Sequence, residues 1–286
     1  MTDEVYRQGG EQNMLAEREA RLMPPCMILC GGLGTRLRDV TESLPKPMVP
    51  IGEQPILWHI MKIYASYGVR RFILCLGYKR EVIVDYFMNY HLRVSDATIK
   101  LGHDNEITFH GENDESDWEV TLAGTGLHSM TGARIYKASR YLHETDANFF
   151  LTYGDGVADI DIMKLYKHHL ASGRLMTVSA VHPAARFGSM IMSGDKVLGF
   201  EEKPAKGEGY INGGFMVINR AFVDKYLADD IDLSLEMGPM QTAAKDGEMI
   251  AYRHEGFWQC MDNSREYQLL NELWRSGKAP WKVNWR

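Results

Sequence analysis

The chain has 286 residues, 45% of them hydrophobic, enough to bury the core of one α/β domain and leave a small appendage. Its net charge of -6, with acids and bases interspersed, carries no electrostatic footprint for nucleic acid, so an anionic ligand must be met locally. The four cysteines, Cys26, Cys30, Cys75 and Cys260, show no paired C-x-x-C spacing, which argues against zinc and a disulfide framework and for a reducing, cytoplasmic setting.

Residues 1–24 read as an N-terminal extension, either a flexible tail or a short helix packed on a partner. Its first 22 residues are polar and mixed in charge, without the apolar centre of a signal peptide. No later segment approaches the roughly 20 uninterrupted apolar residues of a membrane span. The run Met27 to Cys30 is short, uncharged and followed by two glycines, the pattern of a buried strand that stops at a turn. Gly31, Gly32 and Gly34 have no side chains to bar a ligand from their N–H groups, and Arg36 adds charge, so the turn suits a phosphate. Two better-known cradles fail on spacing. Leu37 stands where the dinucleotide pattern needs its third glycine, and no Gly-Lys-Ser/Thr closes a P-loop. Lys46 sits between Pro45 and Pro47, which hold its backbone, an unusual seat for a merely solvated lysine.

Pro55 begins a helix with Ile56, Ile60, Ile63, Tyr64 and Tyr67 on one face, closed by Gly68. Arg71 to Leu76 reads as a strand and Glu81 to Tyr90 as a helix, and this alternation predicts a Rossmann-like, doubly wound mixed sheet. From about 97 to 122 the runs are short and alternating, which predicts a small antiparallel β insertion reaching Trp118 to Leu122. A helix follows from Ser129–Arg134 to about Leu142, then a strand Phe149 to Tyr153. The helix Asp161 to Ser172 and the strand Met176 to His182 continue the alternation. A hairpin turns at Ser193-Gly194-Asp195, Tyr210 to Phe215 opens a strand, and Met249 to Tyr252 is the last one. The C-terminal helix carries Tyr267, Leu270, Leu273 and Trp274 as its stripe. The whole reads as a single domain over 25–286.

Asp155 follows the strand that ends at Tyr153, at the carboxyl edge where open α/β sheets bind ligands. Asp262 likewise follows an apolar run. On local sequence alone such an aspartate is more often a cap or turn residue, and Lys203 alone would be a solvated hairpin-end lysine. Two carboxylates meeting opposite a glycine cradle and a lysine would form a hard-oxygen site for Mg²⁺ on phosphate oxygens.

The paired segments Leu-Cys-Gly-Gly-Leu-Gly-Thr-Arg-Leu and Pro-Lys-Pro-Met-Val resemble the signature of the sugar-1-phosphate nucleotidyltransferases. From Met27 to about Trp285 the chain is similar to their glucose-1-phosphate cytidylyltransferase branch, which makes CDP-glucose for surface polysaccharides. The likeness runs through residues 55–62, 76–79, 129–132, 152–157, 186–188, 202–204, 211–215, 256–259 and 276–282, among them Thr-Tyr-Gly-Asp-Gly-Val, Ile-Asn-Gly-Gly-Phe and Gly-Phe-Trp-Gln.

Carried over position by position, the resemblance implies that Gly31, Gly32, Gly34, Thr35 and Arg36 hold CTP, with Lys46 at the reacting phosphates and Thr125, Ser129 and Arg134 completing the nucleotide site. It implies Asp155 and Asp262 as Mg²⁺ ligands, Lys203 on the sugar phosphate, and Glu202, Asn212 and Gly213 near the sugar hydroxyls. Arg36, Lys46, Asp155 and Lys203 are then the catalytic set, the substrates are CTP and a sugar 1-phosphate, and the protein is a homo-oligomer by analogy. The chain departs from the family's usual pattern at Cys30 (usually Ala), Gly124 (Asp), Ala133 (Gly) and Cys260 (Pro), and in Asn263, Ser264 and Glu266. These departures leave open a different sugar 1-phosphate as acceptor, or a catalytically silent nucleotide-sugar-binding subunit.

Overall fold

The computed structural model describes residues 23–32, 44–102, 106–111, 113–183, 189–193, 196–201, 209–283 and 285. Most of the N-terminal extension therefore lies outside the described residues. In chain order, the described elements are β1 (Cys26–Leu29), the 3-10 turn Lys46–Met48, β2 (Pro50–Ile51), β3 (Gln54–Pro55) and helix α1 (Ile56–Ala65). Then come β4 (Arg71–Leu76), α2 (Arg80–Met88), α3 (Tyr90–Val94), β5 (Asp96–Ile99), β6 (Ile107–His110) and β7 (Glu119–Gly124). Helix α4 (Thr131–Ala138), β8 (Asn148–Tyr153), β9 (Gly156–Ala158), α5 (Ile162–Ser172), β10 (Met176–Val181), β11 (Ser189–Ser193) and β12 (Lys196–Glu201) follow. The chain closes with β13 (Ile211–Asn219), α6 (Arg220–Tyr226), α7 (Pro239–Lys245), β14 (Met249–His254), β15 (Trp258–Cys260) and α8 (Ser264–Arg275).

Seven strands form one mixed sheet in the order β14-β10-β13-β8-β1-β4-β7. β13 runs antiparallel to both β10 and β8, and the other neighbours are parallel. The alternation read from the sequence thus yields the expected doubly wound α/β sheet. One boundary differs. Trp118 to Leu122 does not belong to the insertion, because β7 pairs in parallel with β4 as the sheet's edge. An edge strand is half solvated, so it alternates like an antiparallel ribbon even within a parallel sheet. The insertion proper is the β5–β6 hairpin, a separate two-stranded sheet. The helix expected over Glu81 to Tyr90 breaks at Asn89 into α2 and α3.

Successive residues of a strand face opposite sides, and β1 divides the core accordingly. Cys26 and Ile28 point into the layer with Ile60, Tyr64, Phe150, Phe215 and Leu270. Met27 and Leu29 point into the layer with Ile135, Phe149, Leu151 and Phe222. Each such buried side chain contributes about 1.5–3 kcal/mol of transfer free energy. Among the described residues, no helix is long and apolar enough to cross a membrane.

Two buried histidines stitch the layers in their neutral form. His59 Nε2 donates to the Ile51 carbonyl at 2.9 Å, and its Nδ1 accepts from Trp281 Nε1 at 3.3 Å. His169 accepts from Thr177 Oγ1 at 2.9 Å and donates to Asn148 Oδ1 at 3.1 Å. Burial pushes both down to about 4. The unfolded chain, with histidines near 6.5, therefore binds protons that the fold does not. Stability is complete above about pH 6.5 and falls toward pH 4, by up to roughly 1.4 kcal/mol per pH unit for each histidine. We expect thermal unfolding to show a clearly lower Tm at pH 5 than at pH 7, with a shallower fall in His169→Gln; equal midpoints in the wild type would refute this.

Candidate active site

The chain leaves β1 with the Cys30 amide donating to the Cys75 carbonyl at 3.1 Å, then turns at Gly31 and Gly32. Arg134, on α4 and only 5% exposed, reaches under this turn. Its Nη2 donates to the Gly31 carbonyl at 3.0 Å, and its Nη1 donates to Thr125 Oγ1 and the Gly126 carbonyl, both at 2.8 Å. A methyl group on Gly31 would overlap the Arg134 guanidinium, so the glycine leaves the room that this arginine occupies. Thr125 Oγ1 donates on to the Leu76 carbonyl at 2.8 Å, and Ser129 Oγ donates to the Thr125 carbonyl at 2.6 Å. One guanidinium thus joins the carboxyl ends of β1, β4 and β7.

Lys46 opens the 3-10 turn Lys46–Met48, with extended Pro45 before it and Pro47 within it. This geometry aims the side chain inward, and only 13% of it is exposed. Its Nζ donates to Asp155 Oδ2 at 2.6 Å and also to Asp262 Oδ1. Asp155 stands in the turn between β8 and β9. Gly154 brings that turn against β1, since a Cβ there would lie 3.0 Å from both the Leu29 carbonyl and Pro47 Cγ.

Asp262 arrives by a different route. β15 pairs antiparallel with β9, setting Cys260 opposite Gly156, and the Met261 amide donates to the Asp155 carbonyl at 2.8 Å. Reciprocal caps then fix it: Asn263 Oδ1 accepts from the Glu266 amide at 3.0 Å, while Glu266 Oε2 accepts from the Asp262 amide at 2.6 Å.

Burial alone would lower the Lys46 pKa, but Asp155 and then Asp262 outweigh it and hold the ammonium above its ordinary value. Two carboxylates on one ammonium give the trio a negative balance carried by hard oxygens. This donor chemistry fits a divalent cation such as Mg²⁺. Beside the trio opens a cleft of about 290 Å³ lined by Gly31, Gly32, Lys46, Ser129, Tyr153 and Asp155. It lies at the carboxyl ends of the central strands, the usual ligand position of an open α/β sheet.

The structure therefore brings Gly31, Gly32, Lys46, Ser129, Arg134 and Asp155 around one cleft, with Thr125 behind it and Asp262 joined through Lys46. Asn212 and Gly213, at the start of β13, border the same region: Asn212 Nδ2 lies 3.5 Å from Tyr153 Oη, and the Gly213 carbonyl accepts from Trp258 Nε1 at 2.7 Å. Gly34, Thr35, Arg36, Glu202 and Lys203 lie outside the described residues. Sequence reasoning missed Tyr153, Thr131 and Glu236. Tyr153 precedes Gly154-Asp155 directly, which was a usable signal, whereas Glu236 sits in a stretch without periodicity.

The family described as Nucleotidyl transferase matches residues 26–259. Relatives from Salmonella typhi and Salmonella typhimurium, both named glucose-1-phosphate cytidylyltransferase, are each 47% identical over 258 residues, which spans 90% of this chain and 98% of the relative. Among solved structures, HddC from Yersinia pseudotuberculosis superposes with a TM-score of 0.61 at 24% identity, over 88% of this chain and 100% of that one, and speaks for the fold alone. With the glycine turn, Lys46 and the two aspartates assembled in that fold, the chain belongs to the nucleotidyl transferase family, in the group of the glucose-1-phosphate cytidylyltransferases.

Proposed function

We propose that the protein transfers the cytidylyl group of CTP to α-D-glucose 1-phosphate, releasing pyrophosphate and forming CDP-glucose. The observation that carries this reading is the convergence of Lys46, Asp155 and Asp262 at the mouth of the glycine cleft. A phosphate oxygen of the sugar phosphate attacks the α-phosphorus of CTP in line. The new O–P bond forms as the bond to the β-phosphate oxygen breaks, and pyrophosphate leaves with that electron pair. The attacking oxygen is already ionised near neutral pH, so no protein base is required.

The backbone of Gly31 and Gly32, with Gly34, Thr35 and Arg36, holds the nucleotide. Arg134 acts beneath them, keeping the glycine turn in place through the Gly31 carbonyl. Lys46, charged because the aspartates keep it so, turns toward the phosphates as charge develops there. Asp155 and Asp262 would hold Mg²⁺, and the chemistry Mg²⁺ supplies when bound is charge neutralisation on the phosphate oxygens. Lys203, Glu202, Asn212 and Gly213 belong to the sugar-phosphate side. The free cysteines fit a reducing cytoplasm, and the exposed Ile99, Leu101, Ile107 and Phe109 of the hairpin region support a contact between copies of the chain.

The test is pyrophosphate release from each of the four NTPs against a panel of sugar 1-phosphates. CTP with glucose 1-phosphate is expected to exceed every other pair by at least about tenfold in kcat/KM, a difference of roughly 1.4 kcal/mol. No turnover with any pair would refute the enzyme reading, and a better pair would replace the substrates.

A further inference from the structure

Behind the wall of the cleft stands Glu236, a carboxylate that the reaction as outlined does not use. It accepts from Tyr153 Oη at 2.5 Å, Thr131 Oγ1 at 2.6 Å and Ser234 Oγ at 2.8 Å. These partners come from three separate parts of the fold: the end of β8, the first turn of α4 and the segment before α7. The Leu235 amide in turn donates to Thr131 Oγ1 at 2.8 Å, and the Met130 and Ala133 amides donate to the Ile231 and Leu233 carbonyls. Glu236 is therefore held from two sides. Burial pushes its carboxyl up, but the three hydroxyl donors win and keep it below its ordinary value.

That charge decides how the next groups point. The hydroxyl proton of Tyr153 is committed to Glu236, a carboxylate that can only accept. The phenol oxygen is left as an acceptor, facing Asn212 Nδ2 at 3.5 Å. On the other side of the amide, Asn212 Oδ1 accepts from the Gly214 amide at 2.8 Å. Both contacts select the same orientation: the amide oxygen is used within β13, and the NH₂ group faces the cleft wall with one N–H beyond what Tyr153 can take.

We propose that Glu236 is a positioning residue for the acceptor sugar. Through Tyr153 it fixes the Asn212 amide as a hydrogen-bond donor, so the site demands a sugar hydroxyl oxygen that can accept. The inference rests on the assignment of Asn212 to the sugar-phosphate side. A carboxylate suits this task because it can only accept. In a Glu236→Gln variant the new amide could donate to Tyr153, releasing the phenol proton toward Asn212 and setting two donors against each other.

The test compares wild type, Glu236→Gln, Tyr153→Phe and the double variant, using the nucleotide and sugar 1-phosphate that the wild type turns over best. Each single variant should raise KM for the sugar phosphate by about three- to tenfold, the effect of one net hydrogen bond. KM for the nucleotide should rise less than KM for the sugar phosphate, even though Tyr153 lines the cleft and Thr131 opens the helix that carries Arg134, because the relay from Glu236 ends on Asn212. The double variant should be no worse than Glu236→Gln alone, because both changes cut one relay. A merely structural role would instead lower Tm and kcat with additive effects, and that pattern overturns the proposal, as does an unchanged sugar KM or a nucleotide KM raised as much as the sugar KM. Tyr153→Phe keeps the test decisive if Glu236→Gln does not fold. A wild type inert with every pair is a different failure, that of the substrate reading itself.

Discussion

Asp262→Asn is expected to lower kcat by at least about 10²–10³-fold, the scale of losing one preorganised electrostatic group, while leaving thermal stability unchanged or higher. The trio accounts for both halves. Asp155 and Asp262 share the ammonium of Lys46, so the three side chains together carry more negative than positive charge. Asparagine preserves the shape and removes one carboxylate charge, which relieves the repulsion between the two. Lys46 keeps Asp155 as its partner at 2.6 Å, so its ammonium is not left stranded. Asp155→Asn should behave in the same way. Pyrophosphate release measures the first effect, and thermal unfolding with and without Mg²⁺ and CTP measures the second. In the wild type the ligands should raise Tm by mass action, and either variant should lose most of that rise. Full activity, or an undiminished rise, would remove the aspartate in question from the metal role.

This opposition of activity and stability could not have been read from local sequence. Lys46 was conspicuous because two prolines frame it, and Asp155 because it follows a strand at the carboxyl edge of a sheet. Asp262 had neither advantage. It is placed by the antiparallel pairing of β9 with β15, two three-residue strands too short to leave a periodic pattern. Arg134 shows the same limit differently. The resemblance implied a place for it in the nucleotide site, and its guanidinium donates to the Gly31 and Gly126 carbonyls and the Thr125 hydroxyl. Only the packed structure reveals that Gly31, lacking a side chain, leaves the room it occupies. The strand Glu119–Gly124 reads as part of the insertion because its outer face is solvated, and exposure at an edge looks the same whichever way the neighbour runs. Local chemistry was therefore legible wherever one short segment carried it, and illegible where distant segments supply the partners.

Lys46→Met is expected to reverse the stability sign of Asp262→Asn and to lose activity on a similar scale, about 10²–10³-fold in kcat. Methionine fills much the same length without charge. Asp155 and Asp262, with side chains only 29% and 27% exposed, would then face each other without the ammonium that joins them. Two carboxylates left at one point without that cation repel each other, and the repulsion acts in full only while both are ionised. The deficit of Lys46→Met relative to wild type should therefore be largest at pH 7 and shrink toward pH 5. His59 and His169 titrate in both proteins, so the difference between the two Tm curves isolates the trio. Added Mg²⁺ should narrow the gap at pH 7, because a divalent ion can replace the missing ammonium between the carboxylates. Lys46→Arg should recover much of the stability but little of the turnover, since a planar guanidinium cannot reproduce a compact point charge aimed from a proline-framed turn. A Lys46→Met protein as stable as wild type at pH 7 would show that the three residues do not act as one electrostatic unit.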